Sequence, residues 1–93
     1  MTAETPNDPY ALALQALAAT LSDERRARRF LDLTGIETGE LRARAGDPAL
    51  LGAVVAFLEA HEPDLLAVSA QLGVEPGAIV AAGRELGGSE EQI

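Results

Sequence analysis

The 93-residue sequence predicts an all-α fold: a compact bundle of five to six short helices, with two helix–tight turn–helix units around a central apolar helix. Three observations predict it. Four of the five prolines directly follow an acid, in Asp8-Pro9, Asp47-Pro48, Glu62-Pro63 and Glu75-Pro76. Glycines stand at Gly35, Gly46, Gly73 and Gly87-Gly88, where a helix would end in a left-handed residue. No segment of four or more residues alternates apolar and polar side chains as a half-buried strand does. Proline suits the first helical position, where an amide hydrogen has no partner. The acid before it accepts a free amide and favours the positive end of the helix dipole.

These signals place helices at residues 9–21, 23–34, 39–45, 48–61, 63–72 and 76–86 of a single domain, 9–88, with loose tails at 1–8 and 89–93. Residues 9–21 start at Asp8-Pro9 and are apolar nearly all round. Residues 23–34 follow Ser22, placed to cap them, and are amphipathic. Ala27, Phe30, Leu31 and Thr34 form one stripe, with Arg25, Arg28, Arg29 and Asp32 opposite. Residues 39–45 follow Glu37-Thr38, without an acid–proline pair. Residues 48–61 hold the longest near-apolar run, Ala49 to Leu58, which suits the centre of the bundle. Leu65, Val68, Ser69 and Leu72 line one side of 63–72. Ile79, Ala82, Gly83 and Leu86 line 76–86, where Gly83 admits a neighbouring backbone.

The segment GIETGELRARA (35–45) aligns with GVEPGAIVAAG (73–83) at an offset of 38 residues. In each copy glycine ends one helix and an acid opens the next. Between them an apolar residue folds back on the last turn, Ile36 onto Leu31 or Phe30 and Val74 onto Val68. Duplication and convergence on a good turn both account for so short a match.

Fifteen acids oppose seven basic residues, all arginine, for a net charge of −8. That balance favours solubility and works against nonspecific binding to nucleic acid or anionic membranes. Cysteine is absent, which removes disulfides and thiolate chemistry. No basic segment precedes the first apolar stretch, so no secretory signal is expected, and the longest apolar run is about half of the ~20 residues that span a bilayer. The expectation is a cytoplasmic protein without a membrane contact.

Leu72, Gly73 and Val74, with Ile79 and Ala82 after them, follow the scaffold pattern of a helix-turn-helix DNA reader. That pattern specifies packing. Reading needs side-chain donors and acceptors, and Glu75, Pro76, Gly77, Val80 and Ala81 offer a base no side-chain donor. Arg84 is followed at once by Glu85. The first copy is more basic: residues 25–44 carry +3, from six arginines against Asp32, Glu37 and Glu40. Yet Arg44 falls where the motif wants a buried apolar residue. Arg28 and Asp32 have the i,i+4 spacing of a helical ion pair, worth ~0.3–0.5 kcal/mol.

Catalytic equipment is sparse. His61 is the single histidine, expected to interact with the negative end of helix 48–61. Glu59-Ala60-His61-Glu62 has the wrong spacing for a helical di-iron site, which also needs a second histidine. Ser22, Ser69 and Ser89 lack a neighbouring base, no glycine loop follows a strand, and Glu62 and Asp64 are accounted for by a helix start. No cofactor and no metal is expected. The two all-round apolar helices raise a different expectation. With 48–61 central, Leu12, Ala13, Ala16 and Ala19 would face outward as an association surface for a second copy or a partner.

Arg29-Phe30-Leu31, Thr34-Gly35-Ile36, Leu41-Arg42, Gly46-Asp47-Pro48 and the Gly73-Val74-Glu75-Pro76 turn together resemble a bacterial family known only as domain of unknown function 3572, from about Tyr10 to Gly88. The resemblance implies a compact helical protein of this length. It implies no activity and carries over no site residue. The functional expectation is therefore a noncatalytic cytoplasmic interaction or structural module. Its candidate patch is Arg25, Arg28, Arg29, Arg42 and Arg44, suited to acidic protein or peptide segments. The alternative is a divergent helix-turn-helix regulator that uses the same arginines on nucleic acid.

Overall fold

Asp8 accepts the Tyr10 amide and Asp47 the Ala49 amide, each at 3.0 Å, so two of the acid–proline pairs cap the helices they begin. The computed structural model describes residues 8–91, with side chains to residue 86. Among these it forms six helices and no strand: α1 (Pro9–Leu21), α2 (Glu24–Thr34), α3 (Thr38–Ala43), α4 (Pro48–Glu59), α5 (Glu62–Leu72) and α6 (Pro76–Glu91). Residues 1–7, 92 and 93 of the expected tails lie outside the described residues.

Three local signals act differently from their expected roles. The cap of α2 is Asp23, which accepts the Arg26 amide at 3.0 Å; Ser22 instead ends α1, its hydroxyl donating to the Ala19 carbonyl at 2.8 Å. Gly87-Gly88 does not stop α6, which continues to Glu91. A glycine costs a helix only about 1 kcal/mol relative to alanine, a penalty that favourable neighbours can absorb. Gly46 is not left-handed. A Cβ there would meet the Tyr10 hydroxyl at 2.6 Å, so Gly46 serves close approach of α1 to the α3–α4 connection. Gly35 and Gly73 do take left-handed backbone, φ 73° and 71°.

α1, α4 and α6 pack on one another to form the middle of the bundle, and α1 also touches α2 and α5. α4 buries Leu50, Leu51, Val54, Val55, Phe57 and Leu58, and α1 buries Leu12, Ala13, Ala16, Leu17, Ala19 and Thr20. The expectation of one central helix is thus corrected: α4 and α1 share the centre. Alanine allows this, because its small side chain lets several helices approach one axis. α1 still has an outer face, made of Tyr10, Leu14, Gln15 and Ala18. Thr20, fully buried, donates its hydroxyl to the Ala16 carbonyl at 2.7 Å, which satisfies the one polar side chain α1 buries.

Gly83 lies against α4, where an added Cβ would overlap the Val55 side chain. Its role is the close approach anticipated for it, although the neighbour is a side chain. α3 is the least embedded helix and buries only Leu41. Among the described residues no single helix is long and apolar enough to cross a membrane.

Candidate functional site

α2 presents three faces. Ala27, Phe30, Leu31 and Thr34 turn inward, as their spacing requires; Phe30 is fully buried and meets Phe57 edge-on, centroids 5.3 Å apart at 75°. Arg26 and Arg29 turn toward α5. Arg25, Arg28, Asp32 and Leu33 turn to solvent. The helix is started by Asp23, whose carboxyl is held below the usual aspartate range, first by the Arg26 amide it accepts. Desolvation is the next influence and opposes this; the guanidinium charge of Arg26, then the Arg25 amide and the Arg25 charge, add to the lowering.

The face toward α5 is built around Asp64, whose side chain is only 13% exposed. Arg29 Nη2 donates to Asp64 Oδ2, Arg26 Nε lies 3.5 Å from Oδ1, and His61 Nδ1 lies 3.6 Å from Oδ2. Arg26 is nearly enclosed, at 11% exposure, and its Nη1 donates to the Ala19 carbonyl at 3.0 Å. Its Nε makes no hydrogen bond although it is buried. The nearby carboxylate therefore compensates its charge without satisfying that donor. The Arg29 guanidinium also sits over the Phe57 ring, 5.6 Å from the centroid. Gln71 Nε2, at the far end of α5, donates at 3.4 Å to Oγ of Ser22 in the connection before α2, so α2 and α5 run antiparallel.

On the solvent side Glu24, Arg25, Arg28, Arg29 and Asp32 line an open groove of about 420 Å³. Among the described residues neither Arg25 nor Arg28 has an ion-pair partner within 4.0 Å, and the Arg28–Asp32 pair suggested by their spacing does not form. The groove thus sets two exposed arginines, without an ion pair among the described residues, beside Glu24 and Asp32 on a chain whose net charge is −8.

The family described as "Protein of unknown function" (DUF3572) matches residues 6–89, nearly the whole chain. The chain belongs to that family. No curated protein and no solved structure matches it significantly.

In this DUF3572 protein the five arginines grouped from sequence fall into separate settings. Arg25 and Arg28 line the groove, and Arg29 joins the groove to Asp64. Arg44 is engaged at the end of α3, 3.3 Å from both Glu40 and Asp47. Arg42 lines a small apolar recess of about 210 Å³ with Leu17, Leu21, Thr38, Leu41 and Ala45. The expected apolar association surface is corrected: Leu12, Ala13, Ala16 and Ala19 are all core residues, between 0% and 5% exposed, and no partner can reach them. His61 is also corrected. α4 ends at Glu59, and His61 occupies the cap position of α5, beside Asp64.

Sequence reasoning missed Arg26 and Asp64 as a pair. Arg26 borders the Phe30 stripe at helical spacing, the only available hint, and nothing local points to a carboxylate on another helix. Among the described residues no group of three or more His, Cys, Asp or Glu side chains could hold a metal ion. The DUF3572 chain does carry the helix-turn-helix angle, with α5 and the Pro76–Leu86 part of α6 bent by 102°. Ile79 and Ala82 are buried, as that scaffold requires. The exposed residues around them are Glu75, Gly77, Ala81, Arg84 and Glu85, which together present more negative than positive charge.

Proposed function

We propose that this DUF3572 protein is a noncatalytic, cytoplasmic interaction module that receives an acidic segment of a partner protein on the outer face of α2. The observation that supports this reading is the groove in which Arg25 and Arg28 stand exposed, without a carboxylate partner among the described residues, while Arg29 is held in place from behind by Asp64 and Phe57. Guanidinium groups form two parallel hydrogen bonds to a carboxylate, and one already anchored loses less freedom on binding. A helical surface of this kind needs no nucleophile, base or cofactor.

The bend of 102° between α5 and α6 favours a second reading, a nucleic-acid regulator. The arginine groove lies on α2, however, and the exposed residues from Glu75 to Glu85 are acidic on balance. Fluorescence anisotropy with a glutamate-rich peptide and with a DNA duplex separates the two. The first reading expects salt-sensitive peptide binding that Arg25→Glu with Arg28→Glu abolishes, and no duplex binding. Duplex binding lost in the same variant would establish the second.

A further inference from the structure

We infer that the groove's partner segment is a helix carrying a leucine-sized apolar residue with carboxylates one and two turns away, and that this residue packs on Leu33. The inference rests on the proposed acidic-segment reading and specifies its partner. Leu33 is 73% exposed, more than Tyr10, Leu14 or Leu66 at 36%, 37% and 49%. Single exposed leucines are ordinary on protein surfaces. Leu33 differs in its register. Arg25, Arg29 and Leu33 follow one another at i,i+4 spacing in a stripe along α2, from the solvent side toward the α5 side, with Arg28 and Asp32 beside them. An α-helix rises about 1.5 Å per residue, so the two guanidinium positions lie about 6 and 12 Å from the leucine along the axis. A second helix laid along this stripe repeats the same rise. Carboxylates at four and eight residues from its apolar side chain then meet Arg29 and Arg25 while the apolar groups meet at Leu33.

Charge excludes the simplest alternative occupant. A second copy of α2 laid parallel in the same register, or antiparallel about Ala27, would bring Arg25, Arg28 and Arg29 against arginines. The stripe is complementary to an acidic helix and not to itself. Leu33 supplies the apolar contact that a purely ionic surface lacks, and burying one leucine side chain is worth about tenfold or more in affinity.

The test uses the full chain and a helical peptide in which one leucine is flanked on both sides by glutamates at four and eight residues, so that either chain direction satisfies the stripe. A companion peptide has glutamine in place of that leucine. The inference expects Leu33→Ala to weaken the leucine peptide about tenfold and to leave the glutamine peptide unchanged. Leu33 is exposed, so this variant keeps its core, and circular dichroism confirms the fold. Equal affinity of the two peptides, or indifference of the leucine peptide to Leu33→Ala, overturns the inference while leaving the acidic-segment reading intact. If Arg25→Glu with Arg28→Glu changes neither peptide's binding, the acidic-segment reading itself fails.

Discussion

Gly35 and Gly73 adopt nearly the same backbone, yet the helices they launch have different fates. After Gly73, α6 runs sixteen residues and buries Ile79 and Ala82 against the centre of the bundle. After Gly35, α3 runs six residues and buries Leu41 alone. The turns also end their first helices by different means. Val74 donates its amide to the Ser69 carbonyl at 3.0 Å, the wide bond of a Schellman turn. Ile36 donates instead to the Thr34 hydroxyl at 3.3 Å, and that hydroxyl donates to the Phe30 carbonyl at 2.8 Å. In the aligned segments Val80 and Ala82 of the second copy correspond to Arg42 and Arg44 of the first. Two arginines where the second copy has apolar residues keep α3 at the surface. Turn chemistry sets where a helix starts; the residues after it set how deeply that helix packs.

The largest test of this comparison truncates the matched apolar residues. Ile79→Ala removes a fully buried side chain from the packed centre and is expected to cost about 3–4 kcal/mol. Leu41→Ala is expected to cost about 2 kcal/mol, because the thinly packed α3 can settle into the space. Urea denaturation of both variants measures the difference, and equal costs would show α3 to be as embedded as α6. Next comes the exchange at the last aligned position. Gly83→Ala forces a Cβ into the Val55 side chain and should cost about 1–3 kcal/mol, whereas Ala45→Gly should cost under about 1 kcal/mol.

Smaller still is the expected loss from Gly35→Ala and from Gly73→Ala, about 1–2 kcal/mol each. No neighbour lies within 4 Å of an added Cβ at either site, so only the left-handed backbone opposes the change. The two losses should be alike, and a clear inequality would break the claim that the two glycines meet the same backbone cost. The smallest effect concerns pH. Asp23, which starts α2 in the first unit, has a lowered folded-state value, so its stabilisation is present above the ordinary aspartate range and is lost as pH falls through that lowered value. Asp23→Asn should keep the cap and flatten the acid limb of the stability curve at this point. α5, the corresponding helix of the second unit, has no side-chain cap at its start, so no cap carboxylate there corresponds to Asp23.

The helix count, the two left-handed turns and the inward stripe of α2 were legible in the sequence, because each depends on chemistry within a few residues. Asp8 and Asp47 mark helix starts by hydrogen bonds to amides two residues on. Legibility fails where one residue type serves two purposes. Gly46 looks like Gly35 in sequence, but it is small to make room for the Tyr10 hydroxyl. It fails again where packing is shared. Leu12, Ala13, Ala16 and Ala19 seemed surplus only on the assumption that one helix must take the centre. Of the groove, Arg25, Arg28 and Arg29 were found by periodicity. The Asp64 anchor behind Arg29 was not, because the contact spans 35 residues of chain. Leu33 was passed over because an isolated exposed leucine has no local signature.

The charged contacts between α2 and α5 are made of guanidinium, carboxylate and imidazole groups, and the chain contains no lysine at all. Enzymes that acetylate or ubiquitinate lysine side chains therefore have no side-chain target on this surface. Any covalent editing of its positive face must go through arginine: methylation would keep the charge of Arg25 or Arg28 while blocking the paired hydrogen bonds on which carboxylate capture depends.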